Sequence, residues 1–280
     1  MKIKLLDNNF LGDLGSSKAF PPTKFQWDRS PGYGDLVFFS DNCLALADLP
    51  VYEQSEKIAW ILEPFPINDR PYRYIAEHFH KFDLVLSHNA DFISRLGERG
   101  SYYYNGMSLI KPDDWKPHEK TKFMSIVVST KNMTQDHGFR HQLVREIRNR
   151  KLPVDIYGKG YNFVEDKADA LREYKFSIAL ENCQIDSYIS DKIHDCFATY
   201  TVPVYRGCDS VRKYFNMDGI FPVQTIEDTI RMIEALNRDQ DAIYYDKAKN
   251  AMADNHKRAI HLRSAEDWIY DNILVPRELI

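Results

Sequence analysis

The sequence has few cysteines and no long apolar run, and each shortage excludes a class of protein. Its 280 residues include four cysteines, at positions 43, 183, 196 and 208, and no two of them form a CxxC pair. This spacing argues against a disulfide framework and against a zinc ribbon, so we expect reduced, buried thiols. No stretch approaches the roughly 20 apolar residues of a membrane span, and the first residues are too polar for a signal peptide. We therefore expect no membrane span and a cytoplasmic location.

An excess of positive charge is also missing. Lysine and arginine total 37 residues against 41 aspartates and glutamates, which gives a formal net charge of −4. No overall field attracts nucleic acid, so we expect no nucleic-acid partner and only a local anion site. Apolar residues make up 44% of the chain and charged residues 28%, as in ordinary globular proteins. The length favours two domains or one large one.

Short apolar runs in the first part of the chain predict buried strands. A polar segment, Asn68–Pro71, has proline near a first helical position and precedes apolar residues at helical spacing, so it predicts the start of a helix. This helix lies between two of the strand-like runs, and we expect a parallel βαβ unit. A polar stretch from Lys111 to Lys122 then predicts a domain boundary. The strand-like runs cover residues 2–6, 36–39, 58–62 and 84–86.

The second part alternates strands and helices more regularly. Apolar residues from Phe139 to Ile147 recur at helical spacing, and a further helix is expected over Asp191–Thr199. Shorter helices are expected just before residue 174 and near 211–215, and the chain is helical in pattern from about 226 to 273. Such alternation predicts a doubly wound parallel sheet, which binds ligands beyond the carboxyl ends of its strands. The predicted strands cover residues 124–128, 154–158, 176–180, 202–205 and 220–223.

Two predicted helices begin with cations, where acidic residues are usually preferred. Lys192 lies in the first turn after the predicted N-cap Ser190, and Arg140 and His141 lie in the opening turns of a helix that begins near His137. Both helices follow strands of one predicted sheet, so a nucleotide diphosphate could bind between their N-termini. Two alternatives stay open: Asp191 could pair with a solvated Lys192, and Arg140 could extend over the core.

A glycine-containing loop follows the strand that ends near Tyr157. The segment Tyr157-Gly158-Lys159-Gly160-Tyr161 lets the backbone approach a ligand closely, although it is not the GxGxxG of dinucleotide-binding proteins. A tight turn from strand to helix explains it equally well.

Other groups of reactive residues do not form a convincing metal or nucleophile site. Asp239-Gln240-Asp241 resembles an acidic metal-binding pair but fits a helix start better. Histidine pairs lack the HExxH context, and isolated pairs of this kind are usually on the surface. The cysteines lack a base at a recognisable spacing. We therefore predict no metal site. The residues concerned are His78 with His80, His137 with His141, and Cys183, Cys196 and Cys208.

Three segments in fixed order resemble the alpha-1,3/4-fucosyltransferases, which are glycosyltransferase family ten. The family pattern is approximately YKF...ENS....YVTEK.......VPV..G, and this chain has YKFSIALENC at 174–183, YISDK at 188–192 and VPVYRG at 202–207. Upstream, residues 126–132, Arg140 and 155–160 resemble the preceding family motifs. The resemblance covers roughly residues 122–224, and Leu62-Glu63-Pro64 is similar to the acceptor-domain glutamate region.

The resemblance implies an α/β GT-B fold, with two Rossmann-like domains facing each other across a cleft. It implies an inverting transfer of L-fucose from GDP-fucose to a glycan hydroxyl, without a metal or other cofactor, by a soluble bacterial or viral form. The expected domains are an acceptor-side domain at 1–118, a donor domain at 119–255 and a helical segment at 256–280 that packs back on the first domain. The partners are then the nucleotide-sugar donor and the glycan acceptor.

The resemblance also assigns donor-binding residues. Arg140 and Lys192 would contact the diphosphate, while Asn182 and Tyr188 would line the donor pocket. Asp191 stands where the family has a glutamate that acts toward the ribose. The side chain of aspartate is shorter, so its carboxylate reaches less far. Cys183 and Ser190 replace the usual serine and threonine. The loop of Tyr157, Gly158 and Lys159 is a further candidate at the donor.

Glu63 is the candidate catalytic base. It follows an apolar strand and precedes Pro64, so it is expected at the carboxyl edge of the first sheet. Inversion needs one carboxylate to remove the proton of the acceptor hydroxyl. An ordinary solvated glutamate at a strand end explains the same residue. Two other functions stay open: a GT-B transferase that uses another nucleotide sugar, and a catalytically silent glycan- or nucleotide-binding module.

Overall fold

The computed structural model describes residues 1–10, 14–17, 19–237 and 241–280, and it contains two parallel β-sheets. The first sheet has the strand order β2-β1-β3-β4-β5-β6. Helices α1 (Arg70–His78) and α2 (Ala90–Ser94) follow its fourth and fifth strands. The strands are β1 (Lys2–Leu6), β2 (Gln26–Asp28), β3 (Leu36–Ser40), β4 (Glu56–Ile61), β5 (Leu84–Ser87) and β6 (Gly100–Tyr102).

Unbroken apolar runs form the central strands because both faces of this sheet are covered. In β3 and β4, Phe38 and Trp60 point into one buried cluster, while Phe39 and Ile61 point into another on the opposite face. The cluster around Trp60 also takes apolar side chains from the end of the chain. These come from α7 (Ala265–Ile269) and the π-helical turn Tyr270–Leu274.

The second sheet has the order β11-β10-β9-β7-β8, again with every neighbouring pair parallel. Its strands alternate with helices, as the sequence predicts. The strands are β7 (Lys122–Val127), β8 (Val154–Tyr157), β9 (Tyr174–Leu180), β10 (Val202–Arg206) and β11 (Phe221–Pro222). The helices are α3 (Gln135–Asn149), α4 (Asp191–Ala198), α5 (Ile226–Asn237) and α6 (Asp241–Leu262).

Two predicted short helices are 3-10 turns. They span Lys167–Ala170 and Asp209–Lys213. The predicted α/β class is confirmed by the two parallel sheets with their helices. Within the described ranges, no helix is both long enough and apolar enough to cross a membrane.

By internal contacts, the chain divides into two units. The first unit contains 1–107, 185–188 and 264–280, and the second contains 108–184 and 189–263. The polar stretch from Lys111 to Lys122, where we predicted the boundary, lies inside the second unit. Hydrogen bonds explain this, because the Oγ of Ser108 and the N–H of Leu109 both donate to the carboxylate of Asp195 in α4.

Candidate functional site

Helix α3 begins at the carboxyl edge of the second sheet with an unusual cap. Its N-cap Thr134 accepts the N–H of His137 through its hydroxyl, at 3.1 Å. In return, Nδ1 of His137 accepts the N–H groups of Met133 and Thr134, both at 3.1 Å. Burial, with neighbouring Arg140 and Lys131, lowers the pKa of His137 to about 4. The ring is therefore neutral at pH 7, as an acceptor nitrogen requires, and His137 is buried rather than on the surface.

Arg140 extends from α3 to the end of β9. Its Nη2 donates to the carbonyl of Leu180 at 3.1 Å and to Oδ1 of Asn182. The hydroxyl of Thr134 donates to the Asn182 carbonyl at 2.9 Å. These two acceptors of Arg140 are neutral, so the bonds orient the guanidinium without cancelling its charge. The structure thus brings together two predicted donor residues, Arg140 and Asn182.

Glu181, which precedes Asn182, organises the start of α4. It is fully buried, and its carboxylate accepts the Ser190 N–H at 3.0 Å and the Ser190 hydroxyl at 2.6 Å. Ser190 is the N-cap, but its hydroxyl serves Glu181 instead of capping the helix. Tyr205 in β10 donates its hydroxyl to Glu181 at 3.3 Å. The sequence showed Glu181 only as a motif position, so this role was missed.

Lys192 lies in the first turn of α4, close to Ser190 and Glu181. Its Nζ donates to the Ser190 Oγ at 2.9 Å and lies 3.5 Å from both the Glu181 Oε2 and the Asp191 Oδ1. The side chain is 18% exposed. The predicted pairing with Asp191 is present, with Glu181 as a second carboxylate. Both separations exceed an ordinary charge-assisted hydrogen bond, so the ammonium can turn to another anion.

Asp191 has a closer partner than Lys192. The Nζ of Lys167 lies 2.6 Å from an oxygen of Asp191 and 2.6 Å from an oxygen of Asp195. Burial alone would raise the pKa of Asp191, but the charges of Lys167 and Lys192 hold it well below its ordinary value. Burial raises the pKa of Asp195. Asp191 is therefore an ionised anchor between two lysines.

The loop after β8 approaches β7 very closely. Gly158 has φ +114°, and a Cβ added there would lie 1.9 Å from the Val128 carbonyl oxygen. The Tyr157 hydroxyl lies 2.7 Å from that of Tyr174, and Lys159 is exposed. Because only glycine fits this approach, the tight turn accounts for Gly158 without a ligand.

In the first unit, Glu63 lies two residues after the end of β4 and is exposed. Its carbonyl accepts the Tyr72 hydroxyl at 3.1 Å. The buried Asp41, at the end of β3, accepts the Leu62 N–H at 2.9 Å and also the Glu63 N–H. Burial raises the pKa of Asp41 to about 6. Sequence reasoning missed Asp41, although its place after a buried strand matches that of Glu63.

Tyr188 belongs by its contacts to the first unit, unlike Arg140, Asn182 and Lys192. It is buried, and its ring centroid lies 5.0 Å from that of His88, which follows β5. Burial lowers the pKa of His88 to about 3.

The groups set aside as metal or nucleophile sites remain apart. Asp239 lies outside the described residues, whereas Asp241 begins α6, as predicted, and pairs with Lys175 at 2.6 Å. The rings of His78 and His80 stand 6.4 Å apart, and Nε2 of His141 lies 3.0 Å from the Lys131 carbonyl. All four cysteines are reduced and buried, as predicted. In the part of the chain that the structure describes, no three histidine, cysteine or acidic residues are grouped to hold a metal.

Comparison with curated proteins finds fucosyltransferases. The alpha-(1,3)-fucosyltransferase FucT of Helicobacter pylori is 30% identical over 160 residues, or 55% of this chain and 31% of that protein. Alpha-(1,3)-fucosyltransferase B of Drosophila melanogaster is 24% identical over 239 residues, or 76% of this chain and 52% of that protein. The chain thus matches at most about half the length of these relatives.

Comparison with solved structures shows the fold. A crystal structure of alpha1,3-fucosyltransferase with GDP has a TM-score of 0.53 at 19% identity and covers 85% of this chain and 81% of its own. HepE of Anabaena in complex with UDP-glucose has a TM-score of 0.60 at 12% identity and covers 88% and 79%. TarM also reaches 0.60, with 11% identity and coverage of 84% and 53%. These likenesses confirm the expected GT-B fold.

A family model matches the segment that carries the donor-side motifs. It describes glycosyltransferase family 10 (fucosyltransferase), C-terminal region, and matches residues 117–247. The match contains α3, β9, α4 and β10, together with the cluster of Arg140, Asn182 and Lys192. The resemblance seen in the sequence is therefore confirmed for this segment, which is similar to the C-terminal region of the family 10 glycosyltransferases, the fucosyltransferases.

Proposed function

We propose that this chain is an inverting glycosyltransferase that transfers L-fucose from GDP-fucose to a hydroxyl group of a glycan. The family domain supports the transferase class, and solved fucosyltransferases with GDP and with GDP-fucose support the donor. The observation that carries the proposal is the position of Arg140 and Lys192. Both cations lie near helix N-termini that follow strands of one sheet, where a diphosphate binds most favourably.

Arg140 and Lys192 would bind the diphosphate together with backbone N–H groups of α3 and α4. Arg140, Lys192 and Lys131 each contribute to the lowered pKa of His137 at the start of α3. The long separations of Lys192 from its two carboxylates leave its ammonium able to donate to a phosphate oxygen. Asn182 would keep the guanidinium oriented in the bound state.

Asp191 would act at the donor through Lys192 and would not reach the ribose itself. Its carboxylate is already held by Lys167 at 2.6 Å, and moving it toward the ribose would break this ion pair. The loop of Tyr157, Gly158 and Lys159 would contribute backbone and the exposed Lys159 near the donor. Tyr188 would line the donor pocket, as its position in the family motif implies.

The reaction would be a single displacement. The acceptor hydroxyl oxygen attacks the anomeric carbon of fucose, and the bond from that carbon to the phosphate oxygen of GDP breaks. The electron pair of the broken bond leaves with GDP, and Glu63 takes the proton of the acceptor hydroxyl. Arg140 and Lys192 would stabilise the charge that develops on the diphosphate, so the proposed mechanism needs no metal ion.

A donor panel tests this function. Thermal unfolding is followed with GDP-fucose, GDP-mannose, UDP-glucose and UDP-N-acetylglucosamine, because a ligand that binds only the folded state raises its stability. We expect stabilisation by the two guanine nucleotides, with fucose transfer to an oligosaccharide only from GDP-fucose. Stabilisation by uridine nucleotides alone would support another donor. Stabilisation by GDP-fucose without transfer to any glycan would support a silent binding module.

A further inference from the structure

The carboxylate of Asp41 accepts hydrogen bonds from the backbone next to and at Glu63. It follows β3 and is 2% exposed, and its carboxylate accepts the N–H groups of Leu62, at 2.9 Å, and of Glu63. On the other side, the Tyr72 hydroxyl donates to the Glu63 carbonyl at 3.1 Å. Both backbone groups of Glu63 are thereby fixed by side chains from other elements.

A line of hydrogen bonds continues from Asp41 toward β1. Nδ2 of Asn9 donates to the second carboxylate oxygen of Asp41 at 2.7 Å. The N–H of Asn9 in turn donates to Asp7 at 3.0 Å, and Arg29 pairs with Asp7 at 3.1 Å. Asp41 is therefore oriented before any substrate arrives.

This arrangement is costly for the fold. The donors to Asp41 named above are neutral N–H groups, although the carboxylate is buried, and a buried carboxylate of this kind destabilises the folded state. The titratable groups that face it are Glu63, Tyr103 and Cys43, and Asp7 lies beside Cys43. Burial raises the pKa of Asp41 to about 6. Its backbone also has φ +35°, which a residue with a side chain seldom adopts.

We propose that Asp41 is a positioning residue for Glu63, holding the backbone at Leu62 and Glu63 so that the Glu63 carboxylate meets the acceptor hydroxyl. This inference rests on the proposed function, in which Glu63 is the base. A neutral or apolar residue at position 41 would make a more stable fold. A gain in turnover explains why a buried carboxylate that lowers folding stability is present there.

A double-mutant cycle tests the proposal. Asp41→Ala should lower kcat about tenfold or more, leaving the donor KM and the GDP affinity unchanged. Asp41→Asn should restore part of the loss, because its amide oxygen still accepts backbone N–H groups. In the Glu63→Gln background, Asp41→Ala should change kcat less than about twofold, because Asp41 acts only through Glu63.

Asp83 provides the matched control. Its carboxylate accepts the Lys57 N–H at 2.8 Å, at the amino end of the same strand β4. Asp83→Asn should leave kcat unchanged. Hydrogen exchange gives a reading that needs no activity: the Leu62 and Glu63 amides should exchange at least about tenfold faster in Asp41→Ala and at the wild-type rate in Asp83→Asn.

Each contrary result has a distinct meaning. Wild-type kcat in Asp41→Ala, or an equal loss with and without Glu63, would overturn the positioning role. Unchanged exchange at Leu62 and Glu63 in Asp41→Ala would overturn it also, even if the chain were inactive. Wild-type kcat in Glu63→Gln would overturn the assignment of the base, and with it the role of Asp41. Absence of transfer by the wild-type chain from every donor would refute the proposed function itself.

Discussion

The Nζ atom of Lys192 lies 3.5 Å from the Oε2 atom of Glu181, a carboxylate that is fully buried. Glu181 also holds the N–H and the hydroxyl of Ser190, the N-cap of the helix that carries Lys192. One buried acid thus fixes the helix start and places a negative charge near the cation on it. This explains how a lysine is tolerated where the helix dipole disfavours it.

The first prediction concerns the diphosphate. Lys192→Ala and Arg140→Ala should each weaken GDP binding about tenfold or more, because a charge-assisted hydrogen bond contributes roughly 1.5 to 3 kcal/mol. Isothermal titration calorimetry measures this directly. Lys122→Ala is the control. Lys122 is the first residue of β7, so it lies at the amino-terminal end of the strands, away from the helix N-termini, and it pairs with Glu173 at 2.7 Å. Wild-type GDP affinity in both active-site variants would contradict the assignment.

The second prediction is that turnover needs no divalent metal. Arg140 and Lys192 would supply the charge that a metal ion supplies in other transferases. Activity measured after dialysis against EDTA should equal that of the untreated enzyme, and added magnesium or manganese should not raise it. An EDTA-treated enzyme that regains activity only with metal would overturn this prediction.

Two glycines of the second unit should respond oppositely to alanine. Gly158→Ala should destabilise the fold by about 2 to 4 kcal/mol, because the new Cβ would meet the Val128 carbonyl and φ is +114°. Gly138 lies in α3 with nothing within 4 Å of an added Cβ, so Gly138→Ala should stabilise by about 0.5 to 1 kcal/mol. Urea unfolding measures both. A tolerated Gly158→Ala would show that the close approach is not required.

Strands and helices followed from the sequence where an apolar run was long enough to be buried on both faces. The runs of β3, β4 and β9 are of this kind. Strands β2 and β6 were missed because each has three residues at or near a sheet edge, and neither shows a pattern that a loop would not.

The candidate site was only partly visible in the sequence. Arg140 and Lys192 stood out because cations are unusual at helix starts. Glu181, Asp41 and His137 could not be found in this way, because their roles depend on burial and on partners distant in sequence. His137 was expected on the surface, yet it caps α3 through its ring nitrogen.

The decrease in the free energy of unfolding at acidic pH should depend on His88. Burial lowers its pKa to about 3, and neither ring nitrogen has a hydrogen-bond partner among the described residues. The unfolded chain therefore binds the proton more tightly, so this group's stabilising contribution is complete above pH 6.5 and falls as the pH drops toward 3. The slope is about 1.4 kcal/mol per pH unit.

Urea unfolding between pH 7 and pH 4 tests this effect. His88→Phe keeps an aromatic ring beside Tyr103 and Tyr188 and should flatten the slope. His80→Phe, at an exposed histidine, should leave it unchanged. An equal acid slope in wild type and His88→Phe would show that another group controls acid stability.

Asp41 should have the opposite effect to His88, because it should raise the free energy of unfolding as the pH falls. Its pKa is raised from 3.8 to about 6, so the folded state binds the proton more tightly, and the cost of the charged group is present above pH 6 and absent below about 4. Relative to Asp41→Asn, the wild type should gain about 2.4 kcal/mol of stability between pH 7 and pH 4. A difference between the two proteins that does not change with pH would contradict the buried, charged state.

Transfer itself is tested by proton NMR of a mixture containing the chain, GDP-fucose and a panel of oligosaccharides. A single displacement predicts a fucosylated product whose anomeric configuration is opposite to that of the donor, formed as GDP appears in equal amount. Glu63→Gln should form this product about a hundredfold more slowly, with GDP binding intact. A product of retained configuration, or no fucosylated product from this mixture, would contradict inverting transfer from GDP-fucose.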